Sequence, residues 1–147
     1  MVQDEELPET LQLIRLLWQL DHALNKRSRR MLKTLGVTAS QRFNIKVVGM
    51  YPGCTPGDLA RFLHVTPATV TRVVQRMEEA GLLRREADPD DSRRVRLHLT
   101  AKGRKIDERG AAASESPVAT LLATVPRVRL EETRRLLSAL VEALEAE

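Results

Sequence analysis

Hydroxyl-bearing and basic side chains concentrate on one short segment of the chain, residues 66–80. Thr66-Pro67 opens this segment with a cap residue followed by proline, a pair that is typical of the start of a helix. An α-helix fits the major groove of DNA, where arginine binds guanine edges or phosphates and smaller polar side chains reach other bases. The side chains predicted to contact duplex DNA are Thr66, Ala68, Thr69, Thr71, Arg72, Gln75 and Arg76.

A second basic group follows on an alternating segment. Residues 94–99 alternate between polar and apolar side chains, which is the period of a β-strand with one buried face. With a strand candidate at 82–86 and a turn-rich acidic loop between them, they predict a β-hairpin. Residues 84–105 hold eight Lys or Arg and four acidic residues. The hairpin side chains predicted to reach phosphates or the minor groove are Arg93, Arg94 and Arg96.

These two groups need a scaffold of helices, and the sequence supplies one. Thr55-Pro56 repeats the cap signal at the start of a short helix over about 56–63, so Thr55 is also a candidate phosphate contact. Two capped helices a few residues apart are typical of a helix-turn-helix. A long first helix is predicted over 8–34, and a second begins after Thr38 or Ser40 and ends near Met50. Further helices are predicted within 101–147.

The terminal helices carry apolar faces that are too wide for a single small domain. Leu13, Leu17 and Leu20 recur at helical spacing in the first helix, and Leu137 and Leu144 do so in the last. Such faces need a partner, which predicts a homodimer. The predicted fold class is mainly α, with a winged helix-turn-helix at 37–100. The flanking dimerisation helices, 8–36 and 101–147, complete a single domain over 1–147.

Composition narrows the class of protein. A net charge of +4 and a sequence pI near 9.7 suit an anionic partner. No apolar run approaches the roughly 18 residues of a membrane span, so no membrane association is predicted. The acidic start of the chain is unlike a signal peptide, and a single cysteine, Cys54, suits a reducing compartment. We expect a cytoplasmic protein without a cofactor.

Enzyme and metal chemistry find no support in the sequence. It has no phosphate-binding glycine loop and no nucleophile with a base at a recognisable spacing, so no catalytic residue is predicted. His22, His64 and His98 are scattered over three elements without ligands at metal-binding spacing. Cys54 is interpreted as a small buried residue at a short strand rather than as a peroxide sensor.

The motifs together resemble the MarR family of bacterial regulators, in element order over about 8–146 and most densely over 37–103. The residues that carry the resemblance include Thr66 to Arg72, Asp91-Ser92-Arg93, and Leu99-Thr100 with Gly103. The resemblance implies a triangular homodimer whose interface is formed by the first helix and the last two. It also implies that Arg93 lies at the tip of the wing and that Asp91 braces it.

Members of this family commonly lose DNA affinity when a small aromatic molecule enters a cleft beside the dimer helices. By this resemblance, a possible effector would contact residues of the first two helices, although the same residues could simply pack the junction between those helices. The residues are Trp18, His22, Phe43, Val47, Met50 and Tyr51.

The predicted function is that of a DNA-binding transcriptional regulator, a repressor by expectation, which binds a pseudo-palindromic operator as a homodimer. The alternative is a winged-helix module that binds a protein instead of DNA. That alternative would require an apolar exposed face on the helix at 66–80 or on the hairpin, whereas both are basic or hydroxylated in sequence. The basic cluster at 26–33 is open to two interpretations, a DNA contact or a solvated helix face.

Overall fold

The computed structural model describes residues 7–112 and 117–146, which form helices and one small sheet. The elements are all helices except for a β-hairpin that follows the fourth helix. The elements are α1 (Glu9–Leu35), α2 (Ala39–Met50), α3 (Pro56–Leu63), α4 (Pro67–Glu79), β1 (Leu83–Ala87), β2 (Val95–Leu99), α5 (Ala101–Ala112), α6 (Pro117–Ala123) and α7 (Arg127–Glu145).

The helix-turn-helix forms because its helices begin at strong caps. Thr38 and Thr55 each accept a hydrogen bond from the backbone three residues ahead, and the side chain at that third position bonds back to the cap. Such reciprocal bonds satisfy donors that a helix start otherwise leaves without partners. Thr66 caps α4 with the first of these bonds alone, because its side chain accepts from the Thr69 N–H. Proline follows Thr55 and Thr66, where its missing N–H costs nothing.

The hydrophobic core lies between α2, α3, α4 and the hairpin. Ile45 from α2, Leu59 from α3, Val74 from α4 and Leu97 from β2 are all fully enclosed. Ile106 of α5 belongs to this core, and Leu35 of α1, which is partly buried, packs against it. The core thereby fixes α4 against the sheet and leaves the opposite face of α4 to solvent.

The sheet is an antiparallel pair, β1 with β2, extended by a single bridge to a third segment. The register places Leu83 opposite Leu99 and Ala87 opposite Val95. Cys54 forms the bridge to Leu97, with Gly53 N–H donating to the Leu97 carbonyl at 2.9 Å. The chain just before α3 is thus attached to the middle of β2.

The chain divides into two compact units, 1–108 and 109–147, and the boundary falls within α5. The first unit contains the helix-turn-helix and the hairpin. In the second unit, α6 and α7 have no buried residue, and Val128, Leu136 and Leu144 are more than half exposed. The single-domain organisation over 1–147 stays a prediction.

The expected fold class, mainly α with a winged helix-turn-helix, is confirmed. The first strand begins at Leu83, one residue later than predicted, because Leu82 still belongs to the turn after α4 and its N–H bonds to the Met77 carbonyl. On α2, Phe43 and Met50 are more than half exposed, and the buried positions are Asn44, Ile45, Val47 and Val48.

Candidate nucleic-acid interface

The solvent face of α4 begins with Pro67 and Ala68 and is polar or charged from there on. Val70, Val74 and Met77 hold the opposite face in the core, so the exposed residues follow from helical spacing. Among the described residues, no carboxylate pairs with Arg72 or Arg76, and both side chains are exposed. The other exposed members of this face are Ala68, Thr71, Gln75 and Glu79.

The threonines predicted as DNA contacts have bonding partners within the helix. The Thr66 hydroxyl accepts from the Thr69 N–H at 3.3 Å and lies 3.0 Å from the Thr69 hydroxyl. The Thr71 hydroxyl donates to the Pro67 carbonyl at 2.9 Å. Gln75 donates to Glu79 at 2.9 Å. The side chains of Thr66, Thr69, Thr71 and Gln75 lie on the exposed side of α4 or at its margin. Arg72 and Arg76 are the members of this face with the most freedom to reach a ligand.

The start of α3 is occupied by its own side chains. The Asp58 carboxylate accepts from the Thr55 N–H at 2.9 Å and from the Thr55 hydroxyl at 2.8 Å. These bonds and the ion pair with Arg61 lower the pKa of Asp58, the backbone bond from Thr55 contributing most. Thr55, a predicted phosphate contact, thus serves as the helix cap here.

The tip of the hairpin presents Arg93 and Arg94 to solvent. The Arg93 side chain is 92% exposed, and its nearest acidic group is Asp91, with Nε 3.4 Å from Oδ1. Asp91 Oδ1 also accepts the Arg93 N–H at 3.0 Å. Asp91 therefore contacts Arg93 through both the backbone and the guanidinium, and its role as a brace stays a prediction.

The outer face of the hairpin differs from a simple row of free cations. Arg96 Nε donates to Asp88 Oδ2 at 2.8 Å, and His98 Nε2 lies 3.2 Å from Glu86 Oε2. Arg84 also pairs with Glu86. Arg96, predicted as a phosphate contact, is thus held by a carboxylate within the hairpin. Asp88 was not among the predicted site residues, although it stands eight positions from Arg96 across a predicted turn.

The residues predicted to contact an effector are spread along α1 and α2. Trp18 is 72% exposed, His22, Phe43, Met50 and Tyr51 are also exposed, and Val47 is buried in the core. The Tyr51 ring stacks on Phe62 of α3 with centroids 5.0 Å apart. The expectation that these residues form one effector site stays a prediction.

Cys54 and His64 occupy structural positions. Cys54 is buried beside the sheet, and burial, followed by the nearby charge of Asp58, raises the pKa of its thiol. A raised pKa keeps the thiolate fraction low at neutral pH. His64 ends α3 in a left-handed conformation. In residues 7–112 and 117–146, no three potential ligands come together at a site for a metal ion.

None of the helices within the described ranges is long and apolar enough to cross a membrane.

Sequence comparison identifies relatives of this arrangement. A model of the MarR family matches residues 35–94, which span α2 to the tip of the hairpin. The HTH-type transcriptional repressor Rv2887 of Mycobacterium tuberculosis is 29% identical over 125 residues, which cover 85% of this chain and 90% of that protein.

Solved structures share the same fold. The transcription regulator MarR from Oenococcus oeni aligns with a TM-score of 0.77 and 23% identity over 88% of this chain and 98% of that chain. MepR of S. aureus, in a complex with DNA, aligns with a TM-score of 0.71 and 23% identity over 88% and 96% of the two chains. The chain therefore has the winged helix-turn-helix fold of these solved structures, and the segment from α2 to the hairpin tip is similar to the MarR family.

Proposed function

We propose that this protein is a transcriptional regulator that binds duplex DNA through α4 and the hairpin and represses transcription by occupying a promoter. The observation that carries the proposal is the exposed face of α4, where Arg72 and Arg76 project with no carboxylate partner among the described residues. Cations left free on a helix of this width suit the major groove. As a regulator of chromosomal genes, it would act in the cytoplasm.

The hairpin supplies the second contact of this proposal. Arg93 and Arg94 lie in the exposed turn between β1 and β2, where long cationic side chains can reach phosphates or the narrow minor groove. In this proposal α4 reads base edges through Arg72, assisted by its small and hydroxylated neighbours. The hairpin fixes the position of the domain on the duplex.

Two relatives support DNA as the partner. Rv2887 of M. tuberculosis is named a transcriptional repressor, and the S. aureus MepR structure contains DNA. A protein-binding winged helix would instead expose apolar side chains on α4 or the hairpin. The exposed residues of α4 are small, hydroxylated, amidic or charged, which argues against the alternative of a protein-interaction module.

A homodimer would place two copies of α4 on one face of the duplex. A two-fold axis then requires a pseudo-palindromic operator with half-site centres about one helical turn apart, roughly 34–36 Å. A small aromatic effector, if it contacts Trp18 and Phe43, would change DNA affinity only by preferring one separation of the two helices. Both ring systems are exposed and available to such a molecule.

The test is a fluorescence-anisotropy titration with the DNA upstream of the protein's own coding region and with a random duplex, at two salt concentrations. We expect tighter binding to the upstream DNA and an affinity that falls steeply with salt. Arg72→Ala should weaken binding by about 1–3 kcal/mol and reduce discrimination between the two duplexes. Arg93→Ala should weaken both complexes similarly and lower the salt slope.

The matched control is Lys105→Ala, which removes one exposed positive charge outside α4 and the hairpin. It should leave affinity and discrimination close to those of the wild type. Equal affinities of Arg72→Ala and Lys105→Ala for the upstream duplex would refute the role of Arg72. A folded wild-type dimer that binds neither duplex at low salt would refute the proposed function.

A further inference from the structure

A carboxylate lies enclosed within the basic hairpin. Asp88 is 8% exposed, although it directly follows β1 and begins the turn that carries Arg93 and Arg94. Removing a carboxylate from water is costly unless it is paired and hydrogen bonded. An acidic group at this place also opposes the approach of a polyanion. Its presence therefore calls for a structural reason.

The bonds of Asp88 join both strands to the turn. Its Oδ2 accepts from Arg96 Nε at 2.8 Å, and Arg96 belongs to β2. Its Oδ1 accepts the Asp90 N–H at 2.9 Å, and its own N–H donates to the Arg94 carbonyl at 2.9 Å. One residue thus fixes the path of the turn at three points. The bond from Arg96, the largest contribution, and the bond from Asp90 also lower the pKa of Asp88.

The two arginines at the tip have no comparable anchor of their own. The Arg93 side chain is 92% exposed, and its hydrogen bonds to Asp91 lie within the same turn. Holding two long side chains ready for phosphates requires that the backbone beneath them be fixed. The network of Asp88 and Arg96 supplies this support from the base of the turn.

We propose that Asp88 and Arg96 are positioning residues that hold the hairpin tip in its DNA-binding shape, and that Arg96 acts on DNA through Asp88 rather than by contacting a phosphate. This inference rests on the proposed DNA-binding function. It reassigns Arg96, whose Nε is taken by Asp88 and whose Nη2 lies 3.9 Å from Asp90 Oδ2.

The sign of one substitution separates positioning from plain electrostatics. Asp88→Asn removes a negative charge beside the DNA, so charge alone predicts tighter binding. Positioning predicts the reverse, a Kd raised by about five- to tenfold, the size expected when a charge-assisted hydrogen bond is lost. The matched control is Asp90→Asn, which removes the same charge two positions along the chain. The Asp90 side chain is 90% exposed. It should bind at least as tightly as the wild type.

A double-mutant cycle tests Arg96. If Arg96 acts through Asp88, then Arg96→Gln in the Asp88→Asn background should cause little further loss of affinity and leave the salt slope unchanged. If Arg96 contacts a phosphate itself, the affinity losses of the two substitutions add. The salt slope then falls by the amount expected for about one phosphate contact. Additive losses would overturn the assignment of Arg96. Binding by Asp88→Asn that is as tight as binding by Asp90→Asn would overturn the whole proposal.

Amide hydrogen exchange provides a readout without DNA. In the free protein, Asp88→Ala, which removes both acceptor oxygens, should accelerate exchange at the Asp90 N–H, while core amides such as that of Val74 keep their protection. Accelerated core exchange as well would mean that the variant loosens the whole fold, which would contradict a role confined to the hairpin tip. If the wild type binds no duplex, the proposed function fails. Unchanged exchange at Asp90 would still refute the positioning role by itself.

Discussion

Gly103 lies where the first turn of α5 passes against the backbone after α4. A Cβ atom added at this position would stand 2.1 Å from the Leu82 carbonyl oxygen and 3.1 Å from its carbon. Both neighbours are backbone atoms, so the contact is relieved only by moving α5 or the turn. At Gly57, in the first turn of α3, an added Cβ would meet only the Thr55 hydroxyl at 3.6 Å, an ordinary contact.

The two glycines therefore make opposite predictions. Gly103→Ala should lower the free energy of unfolding by about 1–3 kcal/mol, because overpacking outweighs the gain in helix propensity. Gly57→Ala should raise it by about 0.5–1 kcal/mol, because the unfolded chain loses freedom and the helix loses nothing. Urea unfolding followed by circular dichroism, at one fixed protein concentration, measures both. A Gly103→Ala variant as stable as Gly57→Ala would show that the close approach is absent in solution.

At the level of single residues, the sequence identifies polar groups better than it identifies their partners. A threonine at the start of a helix can cap that helix or contact DNA, because both roles use the same hydroxyl. In the structure Thr55 and Thr66 are caps, whereas Arg72 and Arg76 remain without carboxylate partners in the part of the chain that is described. The pairing of Arg96 with Asp88 depends on the register of the hairpin, which alternation alone does not give.

On the scale of elements, α3 depends on the cap formed by Asp58. Its carboxylate accepts from the Thr55 N–H and hydroxyl, and these bonds, with Arg61, lower its pKa. A carboxyl pKa that is lower in the folded state contributes stability above the unfolded pKa of about 3.9. That contribution is lost as the pH falls through the folded pKa.

Asp58→Asn should therefore lower the free energy of unfolding by about 1 kcal/mol at neutral pH, and its difference from the wild type should shrink as the pH falls below the unfolded pKa of about 3.9. Urea unfolding over a series of pH values measures this difference. Asp90→Asn is the control, because its exposed side chain should change stability by less than about 0.5 kcal/mol at any pH. A deficit of Asp58→Asn that persists undiminished in acid would contradict the role of the carboxylate.

The sequence predicts the elements themselves closely, because caps and periodicity are local signals. The cap at Thr66 and the alternation over 94–99 locate α4 and β2 to within a residue or so. The sequence does not predict that carboxylates pair with the cations on the outer face of the hairpin. Glu86 lies on β1, opposite β2, and Asp88 lies in the turn. The strand candidate at 82–86 already includes Glu86, but the sequence does not give the antiparallel register, which places Glu86 directly opposite Arg96.

For the whole molecule, the main feature that still needs an explanation is the exposed apolar surface of α1 and α7. No residue of α1 or α7 is buried, although Leu20 and Leu24 of α1 and Leu137 and Val141 of α7 are apolar and substantially exposed. Exposed apolar side chains of this kind are typical of an interaction site, and we expect the partner to be a second copy of the chain. A homodimer that covers it would present two copies of α4 to one duplex, as a two-fold operator requires.

Leu137→Glu should convert the dimer to a monomer, because a buried charge without a partner costs several kcal/mol at an interface. Light scattering after size exclusion should then report about 16.6 kDa for this variant and twice that mass for the wild type. Ala139→Glu adds the same charge two positions along α7, on the far side of the helix from Leu137, and should remain a dimer. The monomer should also lose most of its preference for the upstream duplex, because half-sites bound singly gain nothing from each other. A Leu137→Glu variant that remains dimeric would place the interface away from this face of α7. A wild type that is monomeric at micromolar concentration would remove the basis for a two-fold operator.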